Sequence, residues 1–248
     1  MIKVAVCGSN GKMGQEVVKA VNATDDMELV ARIDIANGEF DSIEAAQKDL
    51  EIDVLIDFTQ PASIYNNARF CLNNNINVVI GTTGLNDEQI KELQALSELK
   101  KVGCFIAPNF STGAVLMMKF AQMASKYFSN AEIIELHHNQ KKDAPSGTAV
   151  KTALMMAQEN ENFSTGNCSE VETIDGARGA ESYNNIHIHS VRMPGYIASQ
   201  EVLFGSNGQI LTIRHDSMNR ECYMAGVLLA TRYTNSNKTF VYGLENIM

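Results

Sequence analysis

Through the first hundred positions, short uninterrupted apolar blocks alternate with stretches in which apolar residues recur every three or four positions. The blocks "IKVAVCG", "MELVARID", "DVLIDF", "NVVIGTT" and "VGCFIAP" read as β-strands. Between them lie "KMGQEVVKAVNA", with Met13, Val17, Val18 and Val21 at helical spacing, "PASIYNNARFCLNNN", opened by Pro61, and "NDEQIKELQALSEL". Apolar strands separated by amphipathic helices predict an α/β domain of the Rossmann type over 1–107, a doubly wound parallel sheet covered on both faces.

The pattern changes after an apolar helix at residues 112 to 128. "AEIIELHH" reads as a strand and "SGTAVKTALMMAQEN" as a helix. "EVETI", "NIHIHSVRM", "SQEVLFG" and "QILTIRHDS" then read as strands separated by turns such as "SNG" at 206 to 208. Consecutive strands of this kind predict a second α+β domain, built on a mixed sheet, over 108–217. The last apolar helix, "RECYMAGVLLATRYT", can return to either domain; residues 218–248 are assigned to the first. Residues 160 to 169, "NENFSTGNCS", are expected to form a mobile loop.

Composition narrows the partners. Of 248 residues 45% are hydrophobic, enough for a substantial core, yet no apolar run approaches the ~20 residues of a membrane span. With no signal-peptide layout at "MIKVAVCG", a cytoplasmic protein is expected. Twenty Lys and Arg against 29 Asp and Glu argue against nucleic acid or an anionic membrane as partner. Five scattered cysteines without metal spacing read as reduced thiols.

Chemistry concentrates first at "GSNGKMG", where Gly8, Gly11 and Gly14 sit between the first strand and the first helix. Glycines there permit a tight turn and let the backbone approach a pyrophosphate at the helix N-terminus; the spacing alone is also compatible with a structural turn. Asp34 follows Gly14 by 20 residues at the end of the second strand, where an acid can bond the adenosine ribose, or simply end a strand. A carboxylate there repels a 2′-phosphate, and Ile35 offers no compensating charge, which favours NADH. Arg32 or Lys12 could still reach a phosphate, so both cofactors remain admissible. "GTTG" at 81 to 84 and "APNFS" at 107 to 111 also fall at strand ends, with backbone groups and small hydroxyls suited to a nicotinamide or to ordinary turns.

The second concentration is "ELHHNQKKDAPSGTA". On a strand, His137 and His138 point to opposite faces, so at least one reaches a cleft or solvent. Lys141, four residues past His137 across a bend, is close enough to share a site, and a histidine beside an ammonium gives up its proton readily. Pro145 disfavours helix at Ala144, Ser146 can cap, and the N–H groups of Gly147 and Thr148 then form a carboxylate-binding nest at the positive end of a helix. The bland alternative is a capped helix with solvated lysines. Zinc is disfavoured, because adjacent strand histidines diverge and no third ligand is suitably spaced. His187 and His189 share one face of a strand and read as half-buried structural residues. Arg178, Arg192 and Arg214 are carboxylate partners that spacing alone does not separate.

"EIIELHHNQKKDAPSGTA" resembles the signature of the 4-hydroxy-tetrahydrodipicolinate reductase family, through Glu132, Ile133, Glu135, His137, Lys141, Asp143, Pro145, Ser146, Gly147, Thr148 and Ala149. The resemblance continues through "VAVCGSNGKMG", "DVLIDFTQP", "VVIGTTG", "APNFS", "IHSVRMPG", "EVLFG" and "LTIRHDS". It implies that His137 is the proton donor or acceptor, that Lys141 is a second donor and electrostatic stabiliser, and that His138, Ser146, Gly147 and Thr148 bind the carboxylates of a small dicarboxylate substrate. It implies that Gly8, Ser9, Asn10, Gly11, Lys12 and Met13 hold the pyrophosphate of NADH or NADPH and Asp34 the ribose. Gly81, Thr82 and Thr83, with Ala107, Pro108, Asn109 and Phe110, would hold the nicotinamide end. The resemblance also implies a homotetramer paired through the second domain's sheet. Ile35 departs from the family, many of whose members carry a basic residue there. A dehydrogenase of another amino or hydroxy acid would not need His137, Lys141 and Ser146 to Thr148 together, and a dinucleotide sensor would have no use for the histidine and lysine.

Overall fold

The computed structural model describes every residue except Thr165 and Asn167. The chain divides into two compact units, Met1–Thr112 with Arg220–Met248, and Gly113–Asn219.

In the first unit the elements run β1 (Ile2–Cys7), α1 (Lys12–Asn22), β2 (Met27–Ile33), α2 (Ile43–Asp49), β3 (Val54–Asp57), α3 (Pro61–Asn73), β4 (Asn77–Ile80), α4 (Asp87–Lys100) and β5 (Cys104–Ile106). Six strands form one sheet in the order β11-β5-β4-β3-β1-β2, with β11 (Phe240–Tyr242) supplied by the C-terminal segment after α7 (Met224–Asn237). Every pairing is parallel. Val54, Leu55, Ile56, Val78, Val79 and Ile80 of the central strands β3 and β4 are all fully buried, because helices cover both faces there. Start signals are local. Pro61 opens α3, Ser42 accepts from the Ala45 N–H to cap α2, and Asn86 and Gln89 form a reciprocal capping box at α4. Neither α2 nor β11 is among the elements predicted above.

The second unit contains α5, which begins at the boundary (Thr112–Ala124), β6 (Asn130–His137), α6 (Gly147–Glu159), β7 (Ala180–Glu181), β8 (His187–Arg192), β9 (Ala198–Ser206) and β10 (Gln209–Ser217). Its sheet has the order β10-β9-β6-β8-β7; β6 and β8 pair parallel and the other neighbours antiparallel. Ile133, Ile188, Val202 and Phe204 bury one face against Ala121 of α5 and Ala149, Ala153 and Met156 of α6. Glu132, Ile134 and His189 lie on the opposite face and remain half-buried. The strand expected at "EVETI" does not form. All five residues are exposed, so their alternation has no layer to bury against. The Glu172 carboxylate instead accepts from the N–H groups of Gly176 and Arg178, and this closes a loop. The mobile loop expected at 160–169 includes Thr165 and Asn167, which lie outside the described residues. Before them, Phe163 is buried and the Asn160 amide donates to the carbonyls of Ser125 and Phe128.

Candidate active site

In the first unit the loop between β1 and α1 is drawn tight by its own backbone. Gly8 has φ +79° and hydrogen-bonds through its N–H to the Ile33 carbonyl at 2.9 Å. A Cβ at Gly14 would lie 2.0 Å from the Gly8 carbonyl oxygen, so the turn closes against the first turn of α1 only with glycine there. Asp34, just past β2, accepts from the Asn10 N–H at 2.9 Å through one oxygen and from the Ala36 N–H at 2.9 Å through the other. Its carboxylate thus ties the glycine loop to the end of β2. Arg32 donates to the Asn10 side-chain oxygen at 3.2 Å, while Ile35 is 92% exposed. Lys12 and Met13 form the first turn of α1.

The hydroxyl oxygens of Ser9 and Thr82 are buried with no partner among the described residues. Orphaned hydroxyls beside a tight glycine turn at a helix N-terminus fit a ligand rich in phosphate and amide groups, as a nicotinamide dinucleotide is. A cleft brings together Thr82, Thr83, Ala107 and Pro108 at the carboxyl ends of β4 and β5, with Tyr242 of β11 on its wall. Phe110 is buried next to Phe58, ring centroids 6.0 Å apart, and the Asn109 side-chain oxygen accepts from the Ser111 N–H. Tyr242 and Phe58 are not among the predicted positions. Tyr242 comes from a strand too short to read, and Phe58 stands in "DFTQP" without a polar group to mark it.

In the second unit, β6 ends at His137, so His138 lies beyond the strand and does not face away from its neighbour within it, as the strand reading expected. His138 is exposed in the following turn, where its Nδ1 accepts from the Gln140 N–H at 3.3 Å. His137 keeps 15% of its side chain accessible, and its Nδ1 lies 2.5 Å from an oxygen of Glu135. Glu135 is fully buried. Arg192, opposite His137 on β8, grips both Glu135 oxygens at 2.8 and 2.7 Å, and the Ser146 N–H donates to one of them at 3.2 Å. Burial pushes the Glu135 carboxyl up, but hydrogen bonds from His137, Arg192 and Ser190 together outweigh it and hold the group at about 2.

Arg192 also donates to the Asp143 carbonyl at 2.8 Å, which fastens the loop that carries Lys141. The Lys141 ammonium sits 2.7 Å from each Asp143 carboxylate oxygen, and that bond holds the Asp143 carboxyl below its ordinary value. Ser146 caps α6, its hydroxyl accepting from the Ala149 N–H at 3.2 Å, and is itself buried. Gly147 is exposed, and a Cβ there would meet nothing within 4 Å. His137, Lys141, Ser146, Gly147 and Thr148 therefore belong to one region, the junction of β6 with the start of α6. Two residues organise it that were not predicted in this role: Glu135, and Arg192 among three candidate arginines. Arg178 and Arg214 are bound elsewhere, to Glu132 and Glu170 and to Glu201 and Asp216. Among the described residues no group of three or more His, Cys, Asp or Glu could hold a metal, and no helix is long and apolar enough to cross a membrane.

A glycine-loop parallel sheet with orphaned hydroxyls, joined in one chain to a sheet domain that carries a histidine, a lysine and a helix N-terminus, defines an NAD(P)H-dependent oxidoreductase. The fold is shared with a probable dehydrogenase from Thermotoga maritima, at TM-score 0.69 and 12% identity, covering 99% of this chain and 92% of the other. The chain belongs to the dihydrodipicolinate reductase family: residues 2–110 match the model of the family's N-terminus and residues 113–248 that of its C-terminus. It is 50% identical, over the full length of both chains, to 4-hydroxy-tetrahydrodipicolinate reductase of Listeria monocytogenes. It is 45% identical to the enzyme of the same name from Synechococcus elongatus, covering 100% of this chain and 98% of the other. The dipicolinate-bound dihydrodipicolinate reductase from Paenisporosarcina sp. TG-14 superimposes with TM-score 0.92 at 47% identity, covering all of both chains. The C-terminal family model includes 220–248, a segment whose strand β11 completes the sheet of the first unit.

Proposed function

We propose that this chain reduces 4-hydroxy-tetrahydrodipicolinate to tetrahydrodipicolinate in diaminopimelate and lysine biosynthesis, with NADH favoured over NADPH, as a cytoplasmic homotetramer with no nucleic-acid partner. The observation that carries the assignment to residues is the buried Glu135 carboxylate, which holds the His137 ring beside the N-terminus of α6. When bound, the nicotinamide supplies the hydride, which reduces the conjugated imine left at substrate C4 by loss of water. His137 donates the proton that the resulting enamine needs. Gly147 and Thr148 present the positive end of α6 to one substrate carboxylate, and His138, exposed in the turn before it, bonds another. Lys141 stabilises the dianion and serves as a second donor; Asp143, whose side chain is 61% exposed, holds the ammonium until a substrate carboxylate replaces it.

On the cofactor side, Gly8 through Met13 hold the pyrophosphate at the start of α1. Asp34 orders that loop and repels a 2′-phosphate, which Ile35 cannot offset. Thr82, Thr83, Ala107 and Pro108 line the cleft for the nicotinamide amide, and Asn109 and Phe110 follow directly on Pro108. The homotetramer rests on the open face of the second sheet, where Ile134, Leu136 and Leu203 stay half-buried and the edge strand β10 exposes Ile210.

The test supplies pyruvate, aspartate semialdehyde and the condensing synthase, and follows NADH and NADPH oxidation separately. Wild type is expected to turn over with the larger kcat/KM for NADH. His137→Gln and Lys141→Ala are each expected to lose about 100-fold or more in kcat. Undiminished turnover in both variants would remove these residues from catalysis, and equal or better use of NADPH would overturn the weight placed on Asp34 and Ile35.

A further inference from the structure

Glu135 is the only acid on the helix-covered face of β6, fully buried, and five donors converge on it from three elements, the Ser190 hydroxyl of β8 among them. His137 comes from β6 itself, the two Arg192 nitrogens from the end of β8, and the Ser146 N–H from the cap of α6. Gln200, opposite Glu135 on β9, is neutral. Arg192 is thus the permanent positive charge facing this carboxylate, and His137 the titratable one. We infer that Glu135 is the positioning residue of the site: it fixes which nitrogen of His137 exchanges the proton, and locks that ring to the helix end that receives the substrate carboxylate. The inference rests on the reading of His137 as proton donor.

Hydrogen-bond parity decides the tautomer of His137. With Arg192 gripping both oxygens, Glu135 is ionised and can only accept, so the hydrogen of the 2.5 Å contact belongs to His137 Nδ1. In the neutral ring Nε2 is then the bare nitrogen, free to take a proton from solvent and pass it to substrate carbon. After that transfer the ring returns to the Nδ1–H form that Glu135 holds, so the reacting atom and ring orientation are the same at the start and end of each turnover. Because Ser146 N–H and Arg192 Nη2 meet at the second oxygen, the same carboxylate sets the start of α6 relative to the imidazole.

A glutamine at 135 breaks this without changing side-chain size. Two donors, Arg192 Nη2 and the Ser146 N–H, meet at one oxygen, so the amide oxygen takes that place and the NH₂ turns toward Arg192 Nη1 and His137 Nδ1. That nitrogen must then accept, and the hydrogen moves to Nε2. The experiment is nitrogen-15 NMR of histidine-labelled protein at a pH where the rings are neutral, with His137 assigned by its absence in His137→Gln. Wild type is expected to carry hydrogen on Nδ1 and Glu135→Gln on Nε2, with the signals of the other four histidines preserved. In the coupled assay Glu135→Gln is expected to lose about 100-fold in kcat with KM for NADH within about twofold. Glu135→Asp, which restores an accept-only group, is expected to recover the Nδ1–H form and part of kcat.

A wild-type ring protonated on Nε2, or an unchanged tautomer in folded Glu135→Gln, would overturn the inference, and the wild-type spectrum decides even if the variant does not fold. An Nδ1–H ring together with full activity in His137→Gln would leave the positioning intact and overturn instead the role given to His137.

Discussion

Strand β6 carries two glutamates three residues apart, and each collects one arginine and one histidine, yet the two clusters have opposite physical characters. Glu132 faces the open side of the sheet, where Arg178 and His189 reach it at 2.7 Å with all three side chains 27 to 35% exposed. Glu135 faces the helix-covered side and is fully buried, with Arg192 and His137 at 19% and 15%. For Glu132 burial pushes the carboxyl up, and bonds from Arg178 and His189 pull it below its ordinary value. For Glu135 the same opposition is resolved much further down, at about 2. Alternation along one strand therefore turns the same three residue types into a screened surface pair on one face and a rigid, desolvated device on the other. It is the second that carries the proposed proton donor.

Removing each arginine exposes the difference most strongly. Arg192→Ala leaves a buried carboxylate without its fork and is expected to cost about 3–5 kcal/mol in denaturant unfolding. Arg178→Ala removes a partly solvated pair and is expected to cost about 1 kcal/mol or less. A comparable loss in both would abolish the contrast.

Acid stability comes next. A carboxyl held lower in the folded than in the unfolded chain stabilises the fold above its unfolded value, and that stabilisation disappears as pH falls through the folded value. Taking Glu135 from 4.5 to about 2, wild type is expected to lose about 3 kcal/mol between those pH values from this group. Thermal melts of Glu135→Gln over the same window should be correspondingly flatter, while Glu132→Gln should keep most of the wild-type slope. The smallest effect is on turnover: Glu132→Gln and His189→Gln are expected to stay within about twofold of wild-type kcat, since neither residue touches the proposed donor.

Much of this was legible in the sequence where a signal was long or repeated. The strands and helices of the first unit follow from five apolar blocks with amphipathic spacers, and the glycine turn from its position between β1 and α1. Segment α2 was not legible, since seven residues with only Ile43 and Ala46 buried make no period. Nor was β11, three residues that become a strand only by pairing with β5. "EVETI" failed in the other direction: alternation is a property of the segment, whereas a strand needs a neighbour, and β7 takes the edge of that sheet beside β8. The site divides in the same way. His137, Lys141 and the Pro-Ser-Gly turn lie within a few residues of each other and were visible together. Glu135 stood in the same segment, but its partner Arg192 lies 57 residues on, and three arginines looked alike until parallel pairing of β6 with β8 set His137 against Arg192. The available clue was a charged residue at an inward position of a strand, which requires a buried counter-charge.

The most direct test is steady-state oxidation of NADH by wild type and by Glu135→Gln, His137→Gln and Glu132→Gln, with 4-hydroxy-tetrahydrodipicolinate generated in place from pyruvate and aspartate semialdehyde. Turnover by wild type and Glu132→Gln, with both other variants reduced about 100-fold in kcat, is the expected result. Absence of wild-type turnover, or equal losses at Glu132 and Glu135, would contradict it.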